Sequence, residues 1–92
     1  MPSILQEADG LIHGERQKEY GAPAEHFAHF ASLFNAYFAH KLVERFSPED
    51  MLLTMTLLKL ARLKNGGTRD SLVDAAGYLG CIELVQEPAD LA

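Results

Sequence analysis

The sequence predicts an all-α protein that folds as one bundle of four helices. Apolar side chains recur at the three- and four-residue spacing of amphipathic helices, and no stretch alternates as a strand would. Proline and glycine divide the chain into four segments, each long enough for a helix. Its 92 residues are 48% hydrophobic and 23% charged, which is typical of a globular domain. We expect that domain over residues 1–86 and a flexible tail over residues 87–92.

The first two helices are bounded by glycine and proline. The first is predicted over residues 3–20, because Gly21 stops it and a proline follows shortly after. The second is predicted over residues 23–46, where an aromatic stripe that includes Phe30 and Phe34 recurs at helical spacing.

The third and fourth helices are joined by a short glycine turn. The third is predicted over residues 48–64, with Ser47 as its N-cap, and it is apolar nearly all round. Residues 65–67 end it, and Thr68 is the expected cap of a fourth helix that continues to about residue 85. The apolar stripe of that helix contains Leu72, Ala75, Ala76, Leu79 and Ile82.

The short turn predicts that helices three and four form an antiparallel hairpin. In that register Arg62 lies opposite Asp70, and Lys59 lies one residue from the position opposite Asp74. The two cations share one face of helix three, and the two carboxylates share one face of helix four. One interpretation of this seam is an ion-pair ladder that only fixes the register of the helices.

The other interpretation makes the seam a ligand site. Asp70 and Asp74 would hold a divalent cation, with Mg²⁺ as the candidate cofactor, while Lys59 and Arg62 would bind phosphate oxygens. Lys59 interrupts an apolar run, where a lysine that serves only to contact water is unusual. Tyr78 follows Asp74 by four residues and extends the line of candidate substrate-binding residues along helix four.

The end of helix one offers a second candidate group. Arg16 and Tyr20 are four residues apart, so they would share a face and together grip and stack a planar group. A solvated amphipathic face explains the neighbouring Glu15 and Glu19 equally well.

Composition excludes several classes of function. The net charge is −5, from 8 Lys and Arg against 13 Asp and Glu, so we expect no direct binding to nucleic-acid duplexes. No apolar run reaches the roughly 18 residues of a membrane span, and the N-terminus lacks the pattern of a secretory signal. Cys81 is the only cysteine, which fits a reducing cytoplasm. The apolar faces of helices two and three exceed what one small bundle covers, which predicts a homo-oligomer.

Three motifs occur in an order that resembles a known family. They are Gly14-x-Arg16-x-x-x-Tyr20-Gly21, Lys59-x-x-Arg62 and Asp70-Ser71-x-x-Asp74-x-x-Gly77-Tyr78. Over residues 4–78 the chain resembles a family of small phage and prophage proteins known as a domain of unknown function. The pattern is also similar to the phage nucleotide-modification-associated domain, and more distantly to the all-α MazG-type nucleoside triphosphate pyrophosphohydrolases.

The resemblance implies a nucleotide-handling phage protein in the cytoplasm of the bacterial host. MazG-type enzymes hold magnesium with Glu-Glu-x-x-Glu followed by Glu-x-x-Asp. This chain has Asp70-x-x-x-Asp74 at the second motif and only Glu15 and Glu19 as candidates for the first. The departure favours nucleotide binding over hydrolysis.

Three hypotheses follow from these residues. The first is an enzyme that hydrolyses a nucleotide phosphate with Mg²⁺, in which Lys59 and Asp70 are catalytic and Arg16 or Tyr20 stacks the base. The second is a non-catalytic oligomeric sponge that sequesters a host nucleotide immune signal, which is an anti-defence role. The third is a structural helical oligomer without a ligand.

Overall fold

The computed structural model describes residues 2–14, 17–18 and 21–86. Within these residues the chain forms four α-helices and no strand, which confirms the predicted all-helical fold. The helices are α1 (Ile4–His13), α2 (Pro23–Tyr37), α3 (Pro48–Arg62) and α4 (Arg69–Gln86), with short 3₁₀ turns at Ala39–Lys41 and Leu63–Asn65. The tail predicted over residues 87–92 lies outside the described residues. No described helix is long and apolar enough to cross a membrane.

Helix α4 is the central element of the fold. It packs along α3, as the predicted antiparallel hairpin requires, and it also packs along α1 and contacts α2. A Cβ atom on Gly80 would lie 2.9 Å from Cδ1 of Ile12, so the glycine allows α1 to approach closely. Arg69, the first residue of α4, connects that helix to the N-terminal part of α1. It pairs with Glu7 and donates a 2.8 Å hydrogen bond to the carbonyl of Pro2.

Helix α1 ends at His13, so the predicted continuation to residue 20 is wrong. The chain leaves the helix at Gly14, where a Cβ atom would lie 2.8 Å from the carbonyl oxygen of Gly10. Beyond the break, Gln17 Nε2 donates a 2.8 Å hydrogen bond to the carbonyl of Ile12. That bond satisfies one of the carbonyls that a helix end leaves without a partner.

Helix α2 ends at Tyr37, so the predicted continuation to residue 46 is also wrong. The buried side chain of Asn35 donates from Nδ2 to the Phe46 carbonyl at 2.9 Å. Its Oδ1 accepts from the Phe46 N–H at 2.7 Å. These two bonds hold the returning chain beside α2, and the Phe46 ring packs on Phe34 with centroids 4.8 Å apart. A continuous helix would place residues 35 and 46 about three turns, or roughly 16 Å, apart and would preclude this pairing.

Helix α3 begins as predicted but is not buried all round. Ser47 and Asp50 form a reciprocal capping box, with bonds of 3.0 and 2.9 Å. Met51 and Leu52 are fully buried, whereas Leu57 on the opposite side is 65% exposed. Only one side of α3 therefore faces the core of the single chain, whereas an apolar pattern nearly all round is typical of a helix that is central or buried in an interface.

The core lies where α2, α3 and α4 meet. Its buried members are Phe27, Ala31, Met51, Leu52 and Cys81. Phe30 and Phe34 pack against this core. The aromatic stripe of α2, expected to contribute to an interface between subunits, therefore packs inside the chain.

Candidate functional site

A cavity of about 250 Å³ opens between α1, α2 and α4. Its apolar lining residues are Leu11, Ile12, Pro23, Phe27, Phe30, Met55, Val73 and Gly77. Its polar or titratable lining residues are Gln17, His26, Asp74, Tyr78 and Cys81. Ligand sites commonly combine a predominantly apolar wall with a few convergent polar groups, as here.

Aromatic rings of α2 and α4 form one wall of the cavity. Phe27 makes edge-to-face contacts with Tyr78, at a centroid distance of 6.4 Å, and with His26, at 4.9 Å. Phe30, one turn along α2, lies 6.4 Å from Phe27. Because each ring is held by a neighbour, the wall is largely preformed and loses little side-chain freedom when a ligand binds.

One of the two ion pairs of the predicted seam is formed. Lys59 Nζ lies 2.9 Å from Asp74 Oδ2, and the side chains are only 14% and 30% exposed. Since Asp74 also lines the cavity, the ion pair lies at the edge of the aromatic wall. Tyr78, another predicted site residue, lines the same cavity one turn further along α4.

The second predicted pair of the seam does not form. Arg62 and Asp70 are both exposed, and the described residues contain no ion pair between them. They lie near the turn end of the hairpin, where water screens charges and an ion pair contributes little. Neither residue lines the cavity. The seam is therefore a single half-buried pair rather than a ladder.

The predicted magnesium ligands do not form a ready-made site. Asp70 and Asp74 are one turn apart on α4, but Asp74 is already neutralised by the ammonium of Lys59. A divalent cation at Asp74 would compete with that ammonium for the charge of the same carboxylate. In the part of the chain that the structure describes, no group of three or more His, Cys, Asp or Glu side chains could hold a metal ion.

The candidate residues at the end of helix one lie outside the described residues. This applies to Arg16 and Tyr20, and to Glu15 and Glu19, the candidates for further carboxylates. Gln17, within the same stretch of sequence, lines the cavity.

Cys81 lies at the cavity wall and is buried. Burial raises the pKa of its thiol, because a thiolate would lose the solvation that water provides. The thiol is therefore neutral at physiological pH and acts as part of the apolar lining.

Sequence reasoning missed the part of the site that α2 contributes. The predicted aromatic stripe includes Phe30, and neither Phe27 nor His26 is among the predicted site residues. The only sequence signal is a histidine beside the aromatic stripe, one turn from Phe30. That pattern alone does not separate a cavity wall from ordinary core packing.

Comparisons with known proteins identify relatives in mycobacterial phages. The chain is 49% identical over 86 residues to the Gene 55 protein of Mycobacterium phage D29, covering 92% of this chain and 54% of the relative. It is 43% identical over 89 residues to the Gene 55 protein of Mycobacterium phage L5, covering 96% of this chain and 55% of the relative. The chain thus spans about half the length of the curated relatives it matches. No solved structure matches it significantly.

These relatives confirm the predicted resemblance to phage proteins, although neither name states an activity. Residues 3–86 match a family described as a domain of unknown function, and that match includes all four helices described above. The chain therefore belongs to the DUF6378 family.

Proposed function

We propose that this protein binds a nucleotide, or a small molecule derived from one, at the cavity between α1, α2 and α4. The observation that carries the proposal is the aromatic wall of this cavity together with the half-buried Lys59–Asp74 pair at its edge. An aromatic wall suits the flat face of a base, and a lysine suits a phosphate. The resemblance of the three motifs to those of phage nucleotide-handling families favours the same ligand class.

The base is the part of the ligand that we assign to the cavity. About 250 Å³ is slightly below the roughly 300 Å³ at which pockets for drug-sized ligands begin, so one planar group fits and the remainder extends outside. Phe27, Phe30 and Tyr78 provide the stacking surfaces. Stacking of one base on an aromatic side chain contributes about 1–3 kcal/mol.

The phosphates are assigned to the cations of α3. Lys59 and Arg62 lie one turn apart, and Arg62 is exposed to an approaching ligand. We infer an exchange of partners, in which Lys59 turns from Asp74 to a phosphate oxygen. Asp74 is then available to accept a hydrogen bond from an amino group of the base. The exchange avoids leaving either charge of the half-buried pair without a partner.

We favour binding without turnover, in the cytoplasm of an infected host, over Mg²⁺-dependent hydrolysis. The Asp74 carboxylate is committed to Lys59, and this commitment competes with a metal ion. A sponge needs the aromatic wall and the cations but no metal. In the enzymatic alternative, Lys59 and Asp70 would act on the phosphates with Mg²⁺.

Thermal unfolding with ribo- and deoxyribonucleoside mono-, di- and triphosphates, with and without Mg²⁺, tests the proposal. A nucleotide at a hundredfold its Kd stabilises the fold by about 2.7 kcal/mol, which raises the Tm of a domain this size by roughly 10–20 °C. Lys59→Met should lose most of that rise relative to its own unliganded Tm. Lys41→Met, which changes an exposed lysine in the turn after α2, should keep it. The absence of a rise with every nucleotide of the panel would contradict the proposal.

The fate of the bound nucleotide separates a sponge from an enzyme. Recovery of the intact ligand after heat denaturation of the complex supports sequestration. Release of phosphate or pyrophosphate that disappears in Asp70→Asn would instead support hydrolysis.

A further inference from the structure

The outer side of the α3–α4 hairpin carries exposed leucines, which we call the leucine face. On α3, Leu53, Leu57 and Leu60 are spaced by four and three residues and therefore share one side. On α4, Leu72 and Leu79 are two turns apart. The exposed fractions are 47% for Leu53, 65% for Leu57, 46% for Leu60, 39% for Leu72 and 51% for Leu79. The two leucines of α4 were predicted to be part of a buried stripe, and in the single chain they are not buried.

The hairpin register brings the two rows of leucines together. The ion pair between Lys59 and Asp74 indicates a register of α3 against α4 that agrees with the predicted register to within one residue. In it, Leu53 lies across from Leu79, and Leu60 lies across from Leu72. The five side chains thus form one surface that spans two helices, and folded monomers rarely leave such a contiguous apolar surface in water.

The two ends of the leucine face carry opposite charges. Asp50 and Glu83 are exposed at the open end of the hairpin, and Lys64 is exposed at the turn end. Asp50 and Leu57 are seven residues apart and share a side of α3, and Lys64 lies in the 3₁₀ turn directly after that helix. The acidic end of one copy therefore complements the basic end of another copy that runs in the opposite direction.

We propose that the leucine face binds a second copy of this chain and forms a two-fold dimer with antiparallel α3 helices. A two-fold interface joins the same surface of both copies. The leucine face can pair with itself because its centre is apolar and its two ends carry opposite charges. Leu57, midway between Asp50 and Lys64, lies at the two-fold axis. The two hairpins together form a four-helix arrangement whose interior is the ten leucines. The dimer does not depend on the proposed nucleotide site.

Sedimentation velocity of the 92-residue protein at 1–100 μM tests the dimer, and we expect twice the mass of the chain. Leu57→Glu should sediment as a monomer, because each glutamate would be buried opposite its symmetry mate. Leu57 is largely exposed in the single chain, so circular dichroism of the variant should remain that of a folded helical protein. Leu33→Glu is the matched control, since Leu33 is 57% exposed on α2, away from this face, and the variant should remain dimeric.

Charge reversal tests the orientation of the two copies. Lys64→Glu should weaken the dimer at least tenfold at low salt, because acids then meet at both ends. Adding Glu83→Lys to that variant should restore most of the lost affinity. A wild-type monomer at 100 μM, or a dimer that Leu57→Glu leaves intact, would overturn the proposal. Failure of the second charge change to restore affinity would overturn the antiparallel arrangement.

Discussion

Lys59 illustrates how one side chain connects the fold to the candidate site. Its side chain is only 14% exposed, and its ammonium lies 2.9 Å from a carboxylate oxygen of Asp74. The pair is intermediate between a surface salt bridge, which contributes little, and a fully buried one, whose separation is costly. The sequence predicts this pair because the register of the hairpin places Lys59 within one residue of the position opposite Asp74. It did not identify Arg62 and Asp70 as solvent-exposed, because exposure at the end of a hairpin depends on tertiary structure.

Lys59→Met should lower the free energy of unfolding by about 1–2 kcal/mol, because Asp74 would be left half-buried without a cation. Combination with Asp74→Leu should recover most of that loss, since two apolar side chains can pack where the ion pair was. Urea denaturation of the wild type, both single variants and the double variant gives the coupling energy. Additive losses in the double variant would show that the two residues do not stabilise each other.

The reactivity of Cys81 should show whether its thiol is buried in the cavity wall of the native protein. Burial raises the pKa of its thiol, so the folded state retains the proton more strongly than the unfolded state. That contribution to stability is present below the unfolded-state pKa and is lost as the pH rises through the folded-state pKa. At pH 8, a thiol reagent should therefore react slowly with the native protein and rapidly in urea. Equal rates in the two states would contradict the burial of the thiol, and Cys81→Ser gives the background rate.

At the level of elements, the N-terminus of α3 was predictable because its signals are local. Ser47, the proline after it and Asp50 are consecutive or nearly so, and the capping box they predict is formed. The end of α2 was not predictable, because the signal is a buried asparagine that holds a residue eleven positions away. Periodicity continued past that point, so an apolar pattern alone extends the helix too far. The break in α1 falls at Gly14, where a Cβ atom would lie 2.8 Å from the carbonyl oxygen of Gly10, and apolar spacing does not reveal that constraint.

Asn35→Ala should destabilise the fold by about 1–3 kcal/mol. It removes both hydrogen bonds to the Phe46 backbone and leaves that N–H and carbonyl without partners in a half-buried position. Asn35→Asp keeps the acceptor but places a carboxylate oxygen against the Phe46 carbonyl in a buried position, so we expect a loss at least as large. Ser32→Ala, an exposed change on the same helix, should be neutral. Equal stability of the alanine variant and the wild type in urea denaturation would contradict a structural role for this pair of bonds.

At the level of the whole molecule, the sequence identified the apolar residues but not the direction in which they point. Helix α4 is buried on two sides, by α1 and α3, so small residues such as Ser71 and Gly77 are buried while Leu72 and Leu79 are exposed. A stripe of large apolar residues indicates the core only when a helix has one buried side. The reversed pattern in α4 places Leu72 and Leu79 on the leucine face, which is the surface that we propose for the dimer.

The cavity has the same dependence on tertiary structure. Its lining comes from α1, α2 and α4, from Met55 of α3 and from the segment between α1 and α2, so no local pattern could define it. Sequence reasoning found Asp74 and Tyr78 because they lie on one face of one helix. It could not find the α2 side chains, which face them only after the chain has folded.

The bond from Gln17 to the carbonyl of Ile12 has a consequence for how a ligand enters. Both residues line the cavity, and the bond also closes the last turn of α1. If Gln17 moves outward to admit a ligand, the end of α1 loses a hydrogen bond and becomes easier to unravel. In that case, entry to the cavity and fraying of this helix end would be coupled in one local opening equilibrium. A molecule that fills the cavity and restores the bond would slow exchange of the amide protons in that turn and tighten α1 onto α4.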